Sequence, residues 1–428
     1  MTSTIMRRMS HAAAAITVAA ATTALASPTH ASAPQARAGA PAGGGGMTPE
    51  AAAENGLPEA TIVIDATSSK GELYLTWNNA LSQVAMTFRE STGSAAPGFS
   101  SVPQGCSAEF GVVSCPLDAV VAYLGAGDDQ ITQSGVCMAA LVANLGDGAN
   151  KLYAGDDCPN QSTVVSAGSG KDEVAFWGAR LAGSYVELGG GNDSFVGSAG
   201  PDEVRAGGGN DDLRGLAGDD KLFGDGGNDR LWGGPGADIQ NGGAGNDTFY
   251  TESGNSGNGP DSLLDSGADD VRGGPGRDTV DASGDVNAVV ISLDDKANDR
   301  AAGTGGDNYH SDIERIYGSS GNDRIVGGGK AEEISGGAGD DTIMGGGGND
   351  VLSGGGGSDR IVGGPGRDSV YGDTGTCCLD NGNDTIDVRD GQRDQVNCGG
   401  GADVVLADKS DLAAREGFQR CESVRRKK

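Results

Sequence analysis

Residues 189–250 read GGGNDSFV GSAGPDEVR AGGGNDDLR GLAGDDKLF GDGGNDRLW GGPGADIQN GGAGNDTFY, one nine-residue phrase repeated without a slip. An acid recurs every nine positions at Asp193, Asp202, Asp211, Asp220, Asp229, Asp238 and Asp247. Two residues after each acid stands an apolar side chain (Phe195, Val204, Leu213, Leu222, Leu231, Phe249), and Gln240 alone breaks that column. A second run keeps the phase through Asp323, Glu332, Asp341, Asp350, Asp359 and Asp368, followed by Ile325, Ile334, Ile343, Leu352, Ile361 and Val370. A disordered linker has no need to hold an acid and a large aliphatic residue in fixed register. The phase therefore argues for an ordered repeat, against the disorder that composition alone favours.

Glycine ahead of each acid permits positive φ and a tight turn. The residues after the acid read as a brief strand with one inward aliphatic side chain. Two nine-residue units make an 18-residue coil, stacking Asp193, Asp211, Asp229 and Asp247 on one edge and Asp202, Asp220 and Asp238 on the other. Carboxylates ~5 Å apart repel by about 3 kcal/mol per pair at an effective dielectric of ~20. One buried aliphatic residue contributes roughly 1.5–3 kcal/mol, whereas ordering nine residues costs on the order of 13 kcal/mol. A divalent cation addresses both problems. Oxygen ligands without His or thiolate favour a hard ion, and flexible many-carbonyl geometry favours Ca²⁺ over Mg²⁺. Metal binding and folding are then expected to be one equilibrium.

Outward from this stretch, a slower form of the pattern comes first. Gly-x-Gly-x-Asp-x-apolar occurs at 125–131, 146–152 (Asn150 in place of Asp), 168–174 and 189–195. The acid positions 129, 150, 172 and 193 are spaced 21, 22 and 21, so each coil here carries one Gly/Asp turn, and the solenoid is expected to tighten at Asp193. After Tyr250 the pattern resumes at Asp261, Asp269 and Asp278, is interrupted over 281–317, and ends in degenerate copies at Asp384, Asp394 and Asp403. From Asp278 to Asp323 is 45 residues, five units of nine, so the insert is expected to occupy whole coils. The candidate metal ligands are the acids of both runs together with Asp129, Asp172, Asp261, Asp269, Asp278, Asp384 and Asp403.

Two of the phrases, GDGGNDRLW (224–232) and GGAGDDTIM (336–344), resemble the Gly-Gly-x-Gly-x-Asp-x-apolar-x nonapeptide of RTX (haemolysin-type) calcium-binding proteins. The resemblance covers roughly residues 125–405. It implies an all-β fold, a right-handed parallel β-roll or β-solenoid in which six-residue turns bind Ca²⁺ and three-residue strands form the core. Asn150, Gln240 and Glu332 depart from the pattern, which implies weak binding at those turns. The region with Cys106 and Cys115, and the Cys398–Cys421 end, resemble secreted calcium-binding proteins of actinobacterial type.

The remaining chain supports an exported protein. Acids outnumber bases 60 to 30 for a net charge of −30, which argues against nucleic acid and anionic membranes as partners and invites cations. Arg7 and Arg8 precede an Ala/Thr/Val-rich stretch from Ala12 to Ala26, which reads as a signal peptide (1–33) cleaved between residues 26 and 33. No stretch is suited to span a membrane. An Ala/Pro/Gly linker (34–57) leads to a β-rich cap region (58–120), the first part of the roll (121–280), the insert, the second part (318–411) and a basic tail (412–428). The eight cysteines of an exported chain read as disulfides. Cys137 and Cys158 each lie eight residues after a turn position and are the best single pairing, since neighbouring strands stack ~4.8 Å apart. Cys106 and Cys115 suit a short loop, Cys398 and Cys421 a C-terminal staple, and adjacent Cys377 and Cys378 remain unassigned.

Neither His-Glu-x-x-His nor Gly-x-Ser-x-Gly occurs, and the only histidine beyond the linker is His310, expected to be structural. AGSGKD at 167–172 lacks the spacing of a phosphate loop and falls in repeat phase. The expectation is a secreted, non-catalytic, structural or adhesive protein binding several Ca²⁺ ions, with a cell-envelope or extracellular macromolecule as its class of partner. The alternative is a calcium-stabilised secreted hydrolase with an unrecognised active site.

Overall fold

A computed structural model describes residues 61–66, 71–78, 83–90, 107–109, 112–115, 119–134, 138, 140–154, 158, 161–176, 181–251, 267–299, 306–373, 382–411 and 418–426. The expected leader and linker, Asp261, Cys106, Cys137, Cys377 and Cys378 lie outside these residues. The described chain is all β-strand without an α-helix. No helix among the described residues is long and apolar enough to cross a membrane. Two compact units are distinguished: Met1–Ser169 with Ala179–Ala182, and Gly170–Gly178 with Gly183–Lys428.

In the first unit the strand Thr61–Ala66 pairs parallel with Ala119–Leu124, which continues to Ala140–Gly146 and Ser162–Ala167. A second ladder runs from Gly71–Asn78 to Gln130–Ser134 and Lys151–Ala154, also parallel. Register advances by one slow repeat per coil, with Ala119 opposite Ala140, Ala140 opposite Ser162 and Gln130 opposite Lys151. The first two strands of the β-rich region thus lie directly on the first repeating coil. Gly71–Asn78 also pairs antiparallel with Gln83–Glu90, and Val112–Cys115 and Ser107–Glu109 extend that arm.

The second unit is a parallel β-solenoid. One long sheet receives a strand from every coil, from Glu173–Ala175, Ser194–Val196, Asp212–Arg214, Arg230–Trp232 and Thr248–Tyr250 onward to Gln395–Asn397 and Phe418–Gln419. Alternating with it along the chain is a leading sheet, Gly183–Gly190, Asp202–Gly208, Lys221–Gly226, Ile239–Ala244, Asp270–Arg272 and Asn308–Tyr309. Glu173 lies opposite Ser194, but Ser194 lies opposite Asp212, so the coil shortens at the position the sequence marks.

Each short strand buries its middle residue, because successive side chains alternate between the two faces. Phe195, Leu213, Leu231 and Phe249 form one core column at no more than 1% exposure. Val204, Leu222, Gln240 and Val271 form the opposing one, so the single polar break sits in the core itself, with Gln240 at 3% exposure.

The insert does not add whole coils to every sheet. Thr279–Asp281 pairs directly with Arg315–Tyr317, so the long sheet continues across it without a gap. Between those two strands the chain makes Val290–Ser292 and then Asn308–Tyr309. The later strand ends the leading sheet. The earlier one begins a trailing sheet, which continues through Arg324–Val326, Thr342–Met344, Arg360–Val362, Thr385–Asp387, Val404–Ala407 and Ser423–Arg426. Asp299 and Asp307 form an isolated antiparallel bridge within this excursion. At the far end Cys398 and Cys421 form the expected disulfide. Cys158 is also disulfide-bonded.

Candidate metal centre

Every described candidate acid is buried. From Asp129 to Asp403 none exceeds 6% exposure, a value reached only by Asp269. Burial of so many carboxylates requires that each be held, and the holding groups are backbone amides of neighbouring coils. Asp172, Asp193, Asp211, Asp229 and Asp247 each donate their N–H to Oδ1 of the next acid, ending on Asp278, at 2.7–2.9 Å. Asp278 donates to Glu314 Oε2 at 3.0 Å. The column resumes with Glu332, Asp350, Asp368, Asp394 and Asp411. A second column runs Asp202, Asp220, Asp238, Asp269, Asp307. A third, beside the trailing sheet, runs Asp323, Asp341, Asp359, Asp384, Asp403 and Glu422. In the first unit Asp129 donates to Asn150 Oδ1 at 2.9 Å.

The columns thus gather residues that the nine-residue phase does not select. Asp307, Glu314, Asp411 and Glu422 follow their predecessors by 38, 36, 17 and 19 residues, none of them the 18 of the regular coil. Asp394, read only as a degenerate copy, is a full member of its column. The rung at Glu332 differs from the others. Its Oε1 accepts the N–H of Lys330 in its own turn, while the Lys330 ammonium bonds to Glu314 Oε1 at 2.9 Å.

One oxygen per carboxylate is thereby satisfied, and the other is left over. Among the described residues, Oδ2 of Asp193, Asp211, Asp220, Asp229, Asp247, Asp278, Asp341, Asp350, Asp359, Asp368, Asp384, Asp394 and Asp403, and Oε2 of Glu332, are buried without a hydrogen-bond partner. A buried charged oxygen left this way is costly. Its electrostatic signature is an upward pKa shift: burial pushes Asp220 up to about 8 and Asp193, Asp229, Asp341, Asp359 and Asp384 up to about 7. Adjacent carboxylates of the same column add to it, as Asp211 and Asp247 do at Asp229.

The turn is shaped around that leftover oxygen. In Gly242–Asp247, a Cβ on Gly242 would lie 2.2 Å from Asp247 Oδ2. Gly243 takes φ +98°, and Gly245 takes φ +144° while stacking so closely that a Cβ would lie 1.5 Å from the Gly227 carbonyl oxygen one coil back. Where glycine is missing the backbone is imposed all the same: Leu216 and Asp225 occupy the Gly243-equivalent position with φ of 76° and 65°.

Asn150 reveals what faces the leftover atom. Its side-chain Nδ2 donates to the carbonyls of Gly146 and Gly148, each at 3.2 Å. An amide N–H thus fills the role at one turn position that a carboxylate oxygen cannot, since an oxygen set against two carbonyls repels both. A cation between carboxylate and carbonyls removes the conflict, and the donor set is all oxygen and hard, suited to Ca²⁺. No three His, Cys, Asp or Glu side chains among the described residues converge to hold a metal. The turns therefore offer one column carboxylate with backbone carbonyls, not a carboxylate cage.

The family model for the RTX calcium-binding nonapeptide repeat (4 copies) matches residues 188–222, 205–240, 223–256, 265–289, 317–352, 326–361 and 353–376. The matches stop short of residues 290–316, where the chain makes its excursion between sheets. Comparison with curated proteins returns no match.

Proposed function

From a chain that is an RTX calcium-binding nonapeptide-repeat protein and folds those repeats as a β-roll, we propose an exported, non-catalytic role in which calcium completes the fold and the completed roll serves as an extracellular structural or adhesive element. The observation that carries this reading is the set of buried carboxylate oxygens left without partners over glycine turns. The carboxylates of those turns, with the carbonyls equivalent to Gly146 and Gly148, would hold the ions. Bound calcium supplies the positive charge that the columns lack.

Export rests on the basic, Ala-rich leader at residues 1–33. The non-catalytic reading is supported by His310, whose ring nitrogens lie 2.5 Å from Asp270 Oδ1 and 3.0 Å from Asp295 Oδ1. Nε2 thus ties the insert to the leading sheet, and Nδ1 is engaged within the insert. The alternative, a secreted hydrolase, draws on no specific observation.

The test is a calcium titration of chelator-treated protein followed by far-ultraviolet circular dichroism. Strand signal rising with calcium is expected. Protein already fully folded in chelator and indifferent to calcium would overturn the reading. Calcium-dependent retention on isolated cell walls would favour adhesion, and turnover of peptidase, lipase or glycosidase substrates would favour the hydrolase.

A further inference from the structure

Two acids of the glycine turns are held by a distinct set of hydrogen bonds. Asp202 and Asp323 belong to the turns Gly197–Asp202 (GSAGPD) and Gly318–Asp323 (GSSGND), in which serine stands where turns such as Gly242–Asp247 and Gly336–Asp341 have a left-handed glycine, Gly243 and Gly337. Ser198 donates its N–H to Asp202 Oδ2 at 2.8 Å, and Ser319 donates its N–H to Asp323 Oδ2 at 2.6 Å. The hydroxyl of Ser319 donates to Asp323 Oδ1 at 2.7 Å, and the hydroxyl of Ser184 donates to Asp202 Oδ1. In both turns the serine oxygen also accepts the N–H of the following glycine, Gly200 at 3.1 Å and Gly321 at 2.9 Å. The two turns are built alike although 121 residues separate their acids.

The backbone of these two turns differs as well. None of Ser198, Gly200, Ser319 and Gly321 takes the positive φ seen at Gly243 and Gly245. In these two turns the serine N–H reaches the carboxylate, and neither Asp202 nor Asp323 keeps a partnerless oxygen.

Their positions in the columns are also alike. Asp202 is the first acid of its column in the second unit, preceded in register by Ser184. Asp323 is the first acid of the third column, preceded by Val289, whose N–H it accepts at 2.8 Å. Each serine-capped turn therefore stands where no carboxylate precedes it, and where an ion would gain the least.

We infer that the Gly-Ser turns at Asp202 and Asp323 are metal-free starts of their calcium columns, with Ser198 and Ser319 supplying hydrogen bonds where the other turns take an ion. This deepens the calcium-binding reading and rests on it. The columns then begin on turns that close without metal, and calcium extends each column from there.

The test counts bound ions on the full chain by native mass spectrometry at saturating calcium. Asp202→Asn and Asp323→Asn are expected to keep the parent count, whereas Asp341→Asn loses at least one ion. Ser319→Gly and Ser198→Gly, which restore the glycine turn, are expected each to gain one. Loss of an ion in Asp202→Asn and Asp323→Asn, as in Asp341→Asn, would overturn the inference, as would Ser→Gly variants with an unchanged count. Should a variant fold poorly in chelator, its count in calcium still decides the matter. If the parent chain binds no calcium at all, the underlying reading has failed, and that outcome is distinct from either result.

Discussion

Replacing Asp229 by Asn is expected to act in opposite directions with and without calcium. Asp229 Oδ1 accepts the Asp211 N–H at 2.8 Å, and Oδ2 is buried without a partner. Asn150 shows what an amide does in that setting: its Oδ1 still accepts the N–H from the preceding coil, and its Nδ2 bonds to two turn carbonyls. At residue 229 the corresponding carbonyls belong to Asp225 and Gly227. Two added hydrogen bonds contribute about 1 kcal/mol each. Losing one charge also relieves repulsion from Asp211 and Asp247, at most ~3 kcal/mol per neighbour at an effective dielectric of ~20. Burial raises Asp229 to about 7, so at pH 8 the parent carboxylate is charged and this relief applies. Metal-free protein carrying Asp229→Asn should therefore be more stable by about 2–8 kcal/mol at pH 8. In saturating calcium it should be less stable than the parent, because the turn no longer holds an ion. Urea unfolding in chelator and in calcium reads both signs. A variant less stable than the parent in chelator would refute the argument that the leftover oxygen opposes turn carbonyls.

Three further outcomes follow from the same geometry. The folded, metal-free state raises Asp193, Asp229 and Asp341 from their ordinary value to about 7, so it holds protons that the unfolded chain has already released. The metal-free fold is thus favoured near pH 4 and loses that advantage as pH rises through about 7. Calcium must displace those protons, so binding at pH 6 should release protons into weak buffer and tighten toward pH 8; calorimetry in buffers of different ionisation enthalpy that detects no release would contradict this. Gln240→Leu removes a buried Oε1 that has no partner and fills the column between Leu222 and Val271. It should stabilise the calcium-bound protein by about 1–3 kcal/mol in denaturant unfolding, and a lower midpoint would count against the core placement of that side chain. Removing the Cys398–Cys421 disulfide should cost about 2–4 kcal/mol. Hydrogen exchange should then rise first in Ser423–Arg426, whose pairing with Val404–Ala407 lies beside the bridge; uniform exchange along the roll would speak against a local staple.

The regular coils were legible because one physical rule repeats. A residue such as Leu213 must be buried every coil, an acid such as Asp211 must precede it, and a turn must intervene, so spacing alone reveals strand, turn and column. Tightening at Asp193 was legible for the same reason. The continuation of the columns was not. Asp307, Glu314 and Glu422 join through hydrogen bonds between coils of unequal length, and nothing local to them carries the Gly-Gly-x-Gly-x-Asp phrase. The change of sheet across residues 281–317 was hidden as well, because Val290–Ser292 and Asn308–Tyr309 are too short to declare which neighbour they pair with. Ser198 and Ser319 were visible as letters, but their effect depends on whether the backbone N–H points into the turn or toward the carboxylate.

The change of sheet has a mechanical consequence. Elsewhere in the second unit, tension along the stack is shared by two parallel ladders of hydrogen bonds. Where the leading sheet stops at Asn308–Tyr309 and the trailing sheet starts at Val290–Ser292, the two overlap by one step, and three ladders join the same pair of coils. Asp270 and Val271 face Asn308 and Tyr309, Thr279 to Asp281 face Arg315 to Tyr317, and Val290 to Ser292 face Arg324 to Val326. A roll pulled from its ends should therefore yield first in the two-ladder coils on either side, while this seam holds.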